Sequence, residues 1–166
     1  MNLVEMRNIS KIYPLVRAVD GVDFAVEKGE VHSLLGENGA GKSTLMNILY
    51  GMTAPDTGEI FIQGKKVEIK RPAQAIALGI GMVHQHFMLT PVMSVAEKIV
   101  MGQEPIKGIF FDKKTAEQKV ADMISEYGFN IPADEKVERL SVGEQQRVEI
   151  LKALYRGADL LILDEP

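Results

Sequence analysis

The chain opens on short apolar runs with the two-residue period of strands. Leu3, Val4 and Met6 predict a first strand, and Ala18 to Phe24 a second, followed by a turn over Glu27-Lys28-Gly29-Glu30. Val31-His32-Ser33-Leu34-Leu35 predicts a strand that runs into Gly36, and the pattern turns helical at Lys42. Gly58 to Ile69 predicts a hairpin turning at Gln63-Gly64-Lys65, Arg71-Pro72 starts a short helix ending at Gly79, and residues 80–83 form a short strand. Beyond Gln85 the period lengthens. Ser94 predicts an N-cap with Glu97 as the third helical residue, a capping box opening a helix to about Met101. A loop spans 102–112, an amphipathic helix spans 113–127 and stops at Gly128, and another runs from Val142 to Tyr155. Asp159 to Leu163 is unbroken apolar after its first residue, the pattern of a parallel strand covered on both faces. Three segments follow: 1–85, a β subdomain with a strand–loop–helix core; 86–140, a small helical subdomain; and 141–166, a helix and a last strand. No repeat, low-complexity stretch or heptad pattern interrupts them.

Composition narrows the class. With 166 residues, 46% hydrophobic and 25% charged, the chain reads as one globular domain. Lys and Arg number 19 against 23 Asp and Glu, a formal net charge of -4, which argues against a general nucleic-acid binder. There is no cysteine, so disulfides and thiolate metal sites are excluded. No run approaches the ~18 apolar residues of a membrane span, and Met1 to Arg7 lacks the pattern of a signal peptide. The expected place is the cytoplasm, with any membrane role supplied by a partner.

Candidate chemistry is concentrated at two glycine-bearing turns and at the end of the last strand. Gly36-Glu37-Asn38-Gly39-Ala40-Gly41-Lys42-Ser43-Thr44 fits the phosphate-binding P-loop pattern. Glycines let the backbone wrap so that successive N–H groups face phosphate oxygens, and the helix behind them adds its positive end. Gly36, Asn38, Gly39, Ala40, Gly41 and Thr44 would form the cradle. Lys42 would reach the β- and γ-phosphates, and Ser43 would offer its hydroxyl to Mg²⁺. Leu160 to Leu163 delivers Asp164 and Glu165 at a strand end, a Walker B arrangement. Asp164 would hold Mg²⁺, and Glu165 would act as the general base on the attacking water. The plainer alternatives are a glycine turn and a buried strand followed by a polar turn. His84 and His86 flank Gln85 without a third metal ligand at sensible spacing.

Leu140-Ser141-Val142-Gly143-Glu144-Gln145-Gln146-Arg147 lies a short distance before Asp164 and resembles the signature motif of ABC ATPases. With the P-loop and the Walker B strand, and with Gln85 and Tyr13 in order, the resemblance covers the whole chain. The implied fold is α/β, a P-loop NTPase (RecA-like) core with an N-terminal antiparallel β subdomain and a small α-helical subdomain. The resemblance implies binding and hydrolysis of ATP with Mg²⁺. It implies that Tyr13 stacks on adenine and that Gln85 is a metal ligand with a catalytic role. It further implies that Ser141 and Gly143 face the γ-phosphate held by a second ABC domain. Val142 and Glu144 stand where the usual motif has glycine and glutamine. A packed strand-end aromatic is the alternative for Tyr13.

Residues 81–89, 95–105 and 141–159 resemble, more narrowly, the ATP-binding subunits of simple-sugar and purine-nucleoside importers. The implied partners are transmembrane permease subunits, with an extracellular solute-binding protein acting indirectly and no nucleic acid. The implied place is the cytoplasmic face of the membrane. The methionines near the helical segment, Met82, Met88, Met93 and Met101 among them, read mostly as packing, while soft apolar side chains around Phe87 and Met88 would suit a docking groove for the permease. A soluble ABC ATPase unconnected with transport is the competing reading. The family continues past Walker B with a D-loop, a strand inserted between the Walker A and Walker B strands, and a switch histidine. Residues 1–166 are therefore expected to leave a gap in the sheet, to expose apolar residues and to be a weak ATPase alone.

Overall fold

The computed structural model describes residues 2–83 and 92–164. The chain divides into two compact units, Met1–Ile80 and Gly81–Pro166.

The first unit is built on an antiparallel sheet. β1 (Asn2–Tyr13) and β2 (Val16–Glu27) pair from Asn2↔Glu27 to Tyr13↔Val16. β3 (Thr57–Ile62) and β4 (Lys65–Val67) complete the order β2-β1-β3-β4. The first two strands extend well beyond the apolar runs that predict them, because ladder bonds continue through polar positions once a partner lies alongside. The predicted turn sits at Gln63 (φ 50°) and Gly64 (φ 75°), the paired left-handed geometry that suits a two-residue hairpin. Val4, Met6, Ile9 and Ile60 are buried, as are Leu45, Ile48 and Leu49 of α1 (Lys42–Tyr50). α2 (Pro72–Ala77) begins with proline, whose missing N–H costs nothing in a first turn.

One expectation fails. Residues 31–35 form no strand, and Val31 and Leu35 are 96% and 91% exposed. A strand is a property of a pair, and among the described residues no backbone pairs with this segment.

In the second unit β5 (Ile80–Val83) pairs with β8 (Leu160–Leu163). Ile162 is buried but Leu163 is 43% exposed, so the last strand is not covered on both faces as its sequence predicts. α3 (Val95–Val100), α4 (Lys113–Glu126) and α5 (Val142–Tyr155) stand close to their predicted bounds. They pack Ile99, Val120, Val148 and Leu151 into one core with Val137 of a 3-10 turn, Val137–Arg139. A short hairpin, β6 (Ile106–Lys107) with β7 (Phe110–Phe111), occupies the predicted loop. Lys98 on α3 is 2% exposed, and its Nζ lies 3.3 Å from Glu149 Oε1 on α5. Lys152 Nζ lies 3.6 Å from the other oxygen of Glu149. Burial pulls the Lys152 ammonium below its ordinary range, while Glu149 opposes the shift and Lys98 adds to it. Among the described residues no helix is long and apolar enough to cross a membrane.

Candidate functional site

The P-loop begins as the irregular segment after β2 and ends in α1. Gly39 (φ 86°) and Gly41 (φ 88°) both take left-handed backbone, which only glycine adopts cheaply. At Gly41 space is also decisive: a Cβ there would lie 2.1 Å from the carbonyl oxygen of Ala18 on β2. At Gly39 nothing lies within 4 Å of the same added atom. The loop closes on itself. Ala40 N–H donates to the Glu37 carbonyl (3.1 Å), and Lys42 Nζ donates to the carbonyls of Gly36 (2.6 Å) and Glu37 (2.8 Å). That folds the ammonium back over the loop, where among the described residues no carboxylate pairs with it.

Helix α1 starts without a side-chain cap and with no acidic residue in its first turn. Its positive end is therefore neither capped by a side chain nor offset by a carboxylate in the first turn. Ser43, in that turn, is exposed and Thr44 half-buried.

Tyr13, 42% exposed, ends β1 opposite Val16. Val16 precedes Ala18, the residue touching Gly41, by two positions, or about 7 Å of strand. The aromatic and the P-loop thus share one end of the first unit. Lys11 Nζ lies 5.8 Å from the Tyr13 ring centre. Asp56 fixes this corner, accepting from Lys11 Nζ (2.9 Å) and Ile12 N–H (2.7 Å). The Ile12 N–H, then Lys11, holds the Asp56 carboxyl below its ordinary range.

In the second unit, Asp164 follows β8 directly, is half-buried and donates its N–H to the Val83 carbonyl at 3.2 Å. Its backbone therefore stands level with the end of β5, two residues before Gln85. Gln85 and Glu165 lie outside the described residues, as do His84, His86, Phe87 and Met88. Among the described residues no group of three or more His, Cys, Asp or Glu side chains is placed to hold a metal ion.

Ser141 caps α5, and Gly143 in its first turn has nothing within 4 Å of an added Cβ. Glu144, legible in the sequence as a carboxylate in place of the usual glutamine, is their direct neighbour here. Glu144 Oε2 accepts from both the Ser141 hydroxyl (2.7 Å) and the Ser141 N–H (2.8 Å). The Ser-x-x-Glu spacing carries that information, just as it does at Ser94 and Glu97, where the predicted box is present.

A family model described as ABC transporter matches residues 19–166. The chain is 55% identical to the guanosine import ATP-binding protein NupO of Bacillus subtilis, over 99% of this chain and 32% of that protein. It is 51% identical to the nucleoside import ATP-binding protein NupA of Lactococcus lactis, again over 99% of this chain and 32% of that one. A solved nucleotide-free ATP-binding cassette from an ABC transporter superposes with a TM-score of 0.85 at 28% identity, covering 100% of this chain and 70% of that one. The chain spans about a third of the length of the curated relatives it matches.

Proposed function

The chain belongs to the ABC transporter family, and on that premise we propose that it is part of the ATP-binding and ATP-hydrolysing subunit of an importer for nucleosides or simple sugars. The observation that carries the proposal is the uncapped start of α1, with Gly39 and Gly41 in left-handed backbone and Lys42 folded over the loop. A helix start with no carboxylate in its first turn and a lysine folded over its loop favours phosphate electrostatically. Relatives named for nucleoside and sugar import support the solute class.

In this reading the N–H groups of residues 38–44 and the Lys42 ammonium hold the phosphates. Tyr13 lies against the adenine ring. The oxygen donors Ser43, Asp164 and Gln85 suit Mg²⁺, a hard cation, which when bound neutralises phosphate charge. Glu165 takes the proton of the attacking water. Ser141 and Gly143 offer the start of α5 to the γ-phosphate of an opposing cassette. The subunit sits on the cytoplasmic face of the membrane against permease subunits, which receive solute from an extracellular binding protein.

The test is ATP turnover and solute uptake by the intact polypeptide in its transporter. Glu165→Gln is expected to keep ATP binding and lose turnover by at least about a hundredfold, within the range of general-base catalysis. Unchanged turnover would overturn the assignment of the base. Uptake of labelled nucleosides and sugars by cells lacking the subunit tests the solute class; uptake of both kinds equal to that of the parent strain would overturn it.

A further inference from the structure

We propose that Glu144 is an internal competitor for the phosphate site at the start of α5, and that it raises the ATP concentration needed to bring two cassettes together. The inference rests on the reading that Ser141 and Gly143 meet the nucleotide of an opposing cassette.

The geometry is specific. One carboxylate oxygen, Glu144 Oε2, takes both donors of Ser141, the hydroxyl at 2.7 Å and the N–H at 2.8 Å. A serine hydroxyl has one hydrogen, so it cannot donate to Glu144 and to a phosphate oxygen together. The Glu144 N–H returns a bond to Ser141 Oγ at 3.4 Å. Those bonds, the hydroxyl first, hold the Glu144 carboxyl below its ordinary value of 4.5, and Arg147 acts in the same direction. The group is therefore ionised at neutral pH and carries the sign of the phosphate it faces.

Access to the terminus is open. Val142 is 73% exposed, Ser141 and Gly143 are exposed, and nothing crowds Gly143. The same box at the start of α3 is closed to any ligand, since Ser94 is 2% exposed. At α3 the box serves the helix alone. At α5 it also occupies the surface that the nucleotide must reach, so an arriving phosphate has to turn Glu144 away from Ser141 and bear its charge.

Glutamine at 144 would keep a capping box, because its amide oxygen can accept from the Ser141 N–H, but it carries no charge. The test measures ATP-dependent turnover and cassette association in the intact polypeptide for wild type, Glu144→Gln, Ser141→Ala and the double variant. Glu144→Gln is expected to lower half-saturating ATP by about fivefold, the scale of one like-charge contact in water. Half-saturation should move more than kcat, and melting should match wild type. In the Ser141→Ala background the same change should still lower half-saturation but by less than in wild type, because the charge remains while the contest for the hydroxyl is gone. If Ser141→Ala raises half-saturating ATP while Glu144→Gln matches wild type, the competitor role is overturned and the signature contact stands. If Ser141→Ala leaves ATP dependence unchanged, the signature contact fails and the proposal fails with it.

Discussion

The starts of α1 and α5 are both helix N-termini in the motifs assigned to nucleotide, yet the chain treats them oppositely. α1 opens on a left-handed glycine with no side-chain cap and no acid in its first turn. α5 opens on a serine whose cap is closed by Glu144. The first has no side-chain cap, and Lys42 adds charge there. The second engages the Ser141 and Glu144 N–H groups and the Ser141 hydroxyl internally. In the proposed reading, a terminus that must hold phosphate permanently in reach gives up the stability of a cap, which is worth about 1 kcal/mol. A terminus that meets phosphate only when a partner arrives can keep its cap until then. The bodies differ too. α1 buries Leu45, Ile48 and Leu49, while α5 adds to its apolar face the charged contact of Glu149 with Lys98 and Lys152.

The largest expected effect breaks the first terminus. Gly41→Ala would place a Cβ 2.1 Å from the Ala18 carbonyl in a backbone of φ 88°. We expect it to cost about 3 kcal/mol or more of stability and to abolish ATP binding, as read by chemical denaturation and nucleotide titration. Wild-type values in both would refute the tight approach. Next, Glu149→Leu would leave the buried Lys98 facing Lys152 without the carboxylate between them. A loss of about 3 kcal/mol is expected in denaturation, and Lys98→Met added to Glu149→Leu should recover most of it.

Gly39→Ala sharpens the comparison with Gly41, since the backbone sign is the same but the space is open. It should cost about 1 kcal/mol, the penalty of the left-handed backbone alone, and weaken ATP binding less than Gly41→Ala does. The smallest effect concerns the box at α3. The Ser94 N–H, ahead of the opposing cost of burial, and then Lys113 and Lys136, hold the Glu97 carboxyl below its ordinary 4.5. A folded-state value below the unfolded one gives stability that is complete above about 4.5 and is lost as pH falls through the folded value. Acid titration of unfolding should therefore show a shallower loss below that pH in Glu97→Gln than in wild type.

What was legible in the sequence was what local chemistry decides. The Gln63-Gly64 turn, the Ser94–Glu97 box and the P-loop each lie within a few consecutive residues, and each is present. The strand expected over residues 31–35 is absent because a strand depends on a neighbour and not on its own apolar pattern. The hairpin over 106–111 is illegible in the sequence because its strands are two residues long and expose Ile106 and Phe110 to solvent at 70% and 73%, so no buried face marks them. The Lys98–Glu149 contact joins helices far apart in sequence, and no spacing rule reaches across that distance. Glu144 was visible only as a departure from the family's glutamine; its hold on Ser141 needed the geometry.

The central claim is that the uncapped start of α1, with Lys42 behind it, binds nucleotide phosphate. Calorimetric titration of ATP into the intact polypeptide, wild type beside Lys42→Ala, tests it most directly. Saturable binding in wild type, weakened at least about tenfold in the variant, is the predicted result, the scale of a charged hydrogen-bond donor lost to a phosphate. Equal affinity in the two proteins would contradict the account.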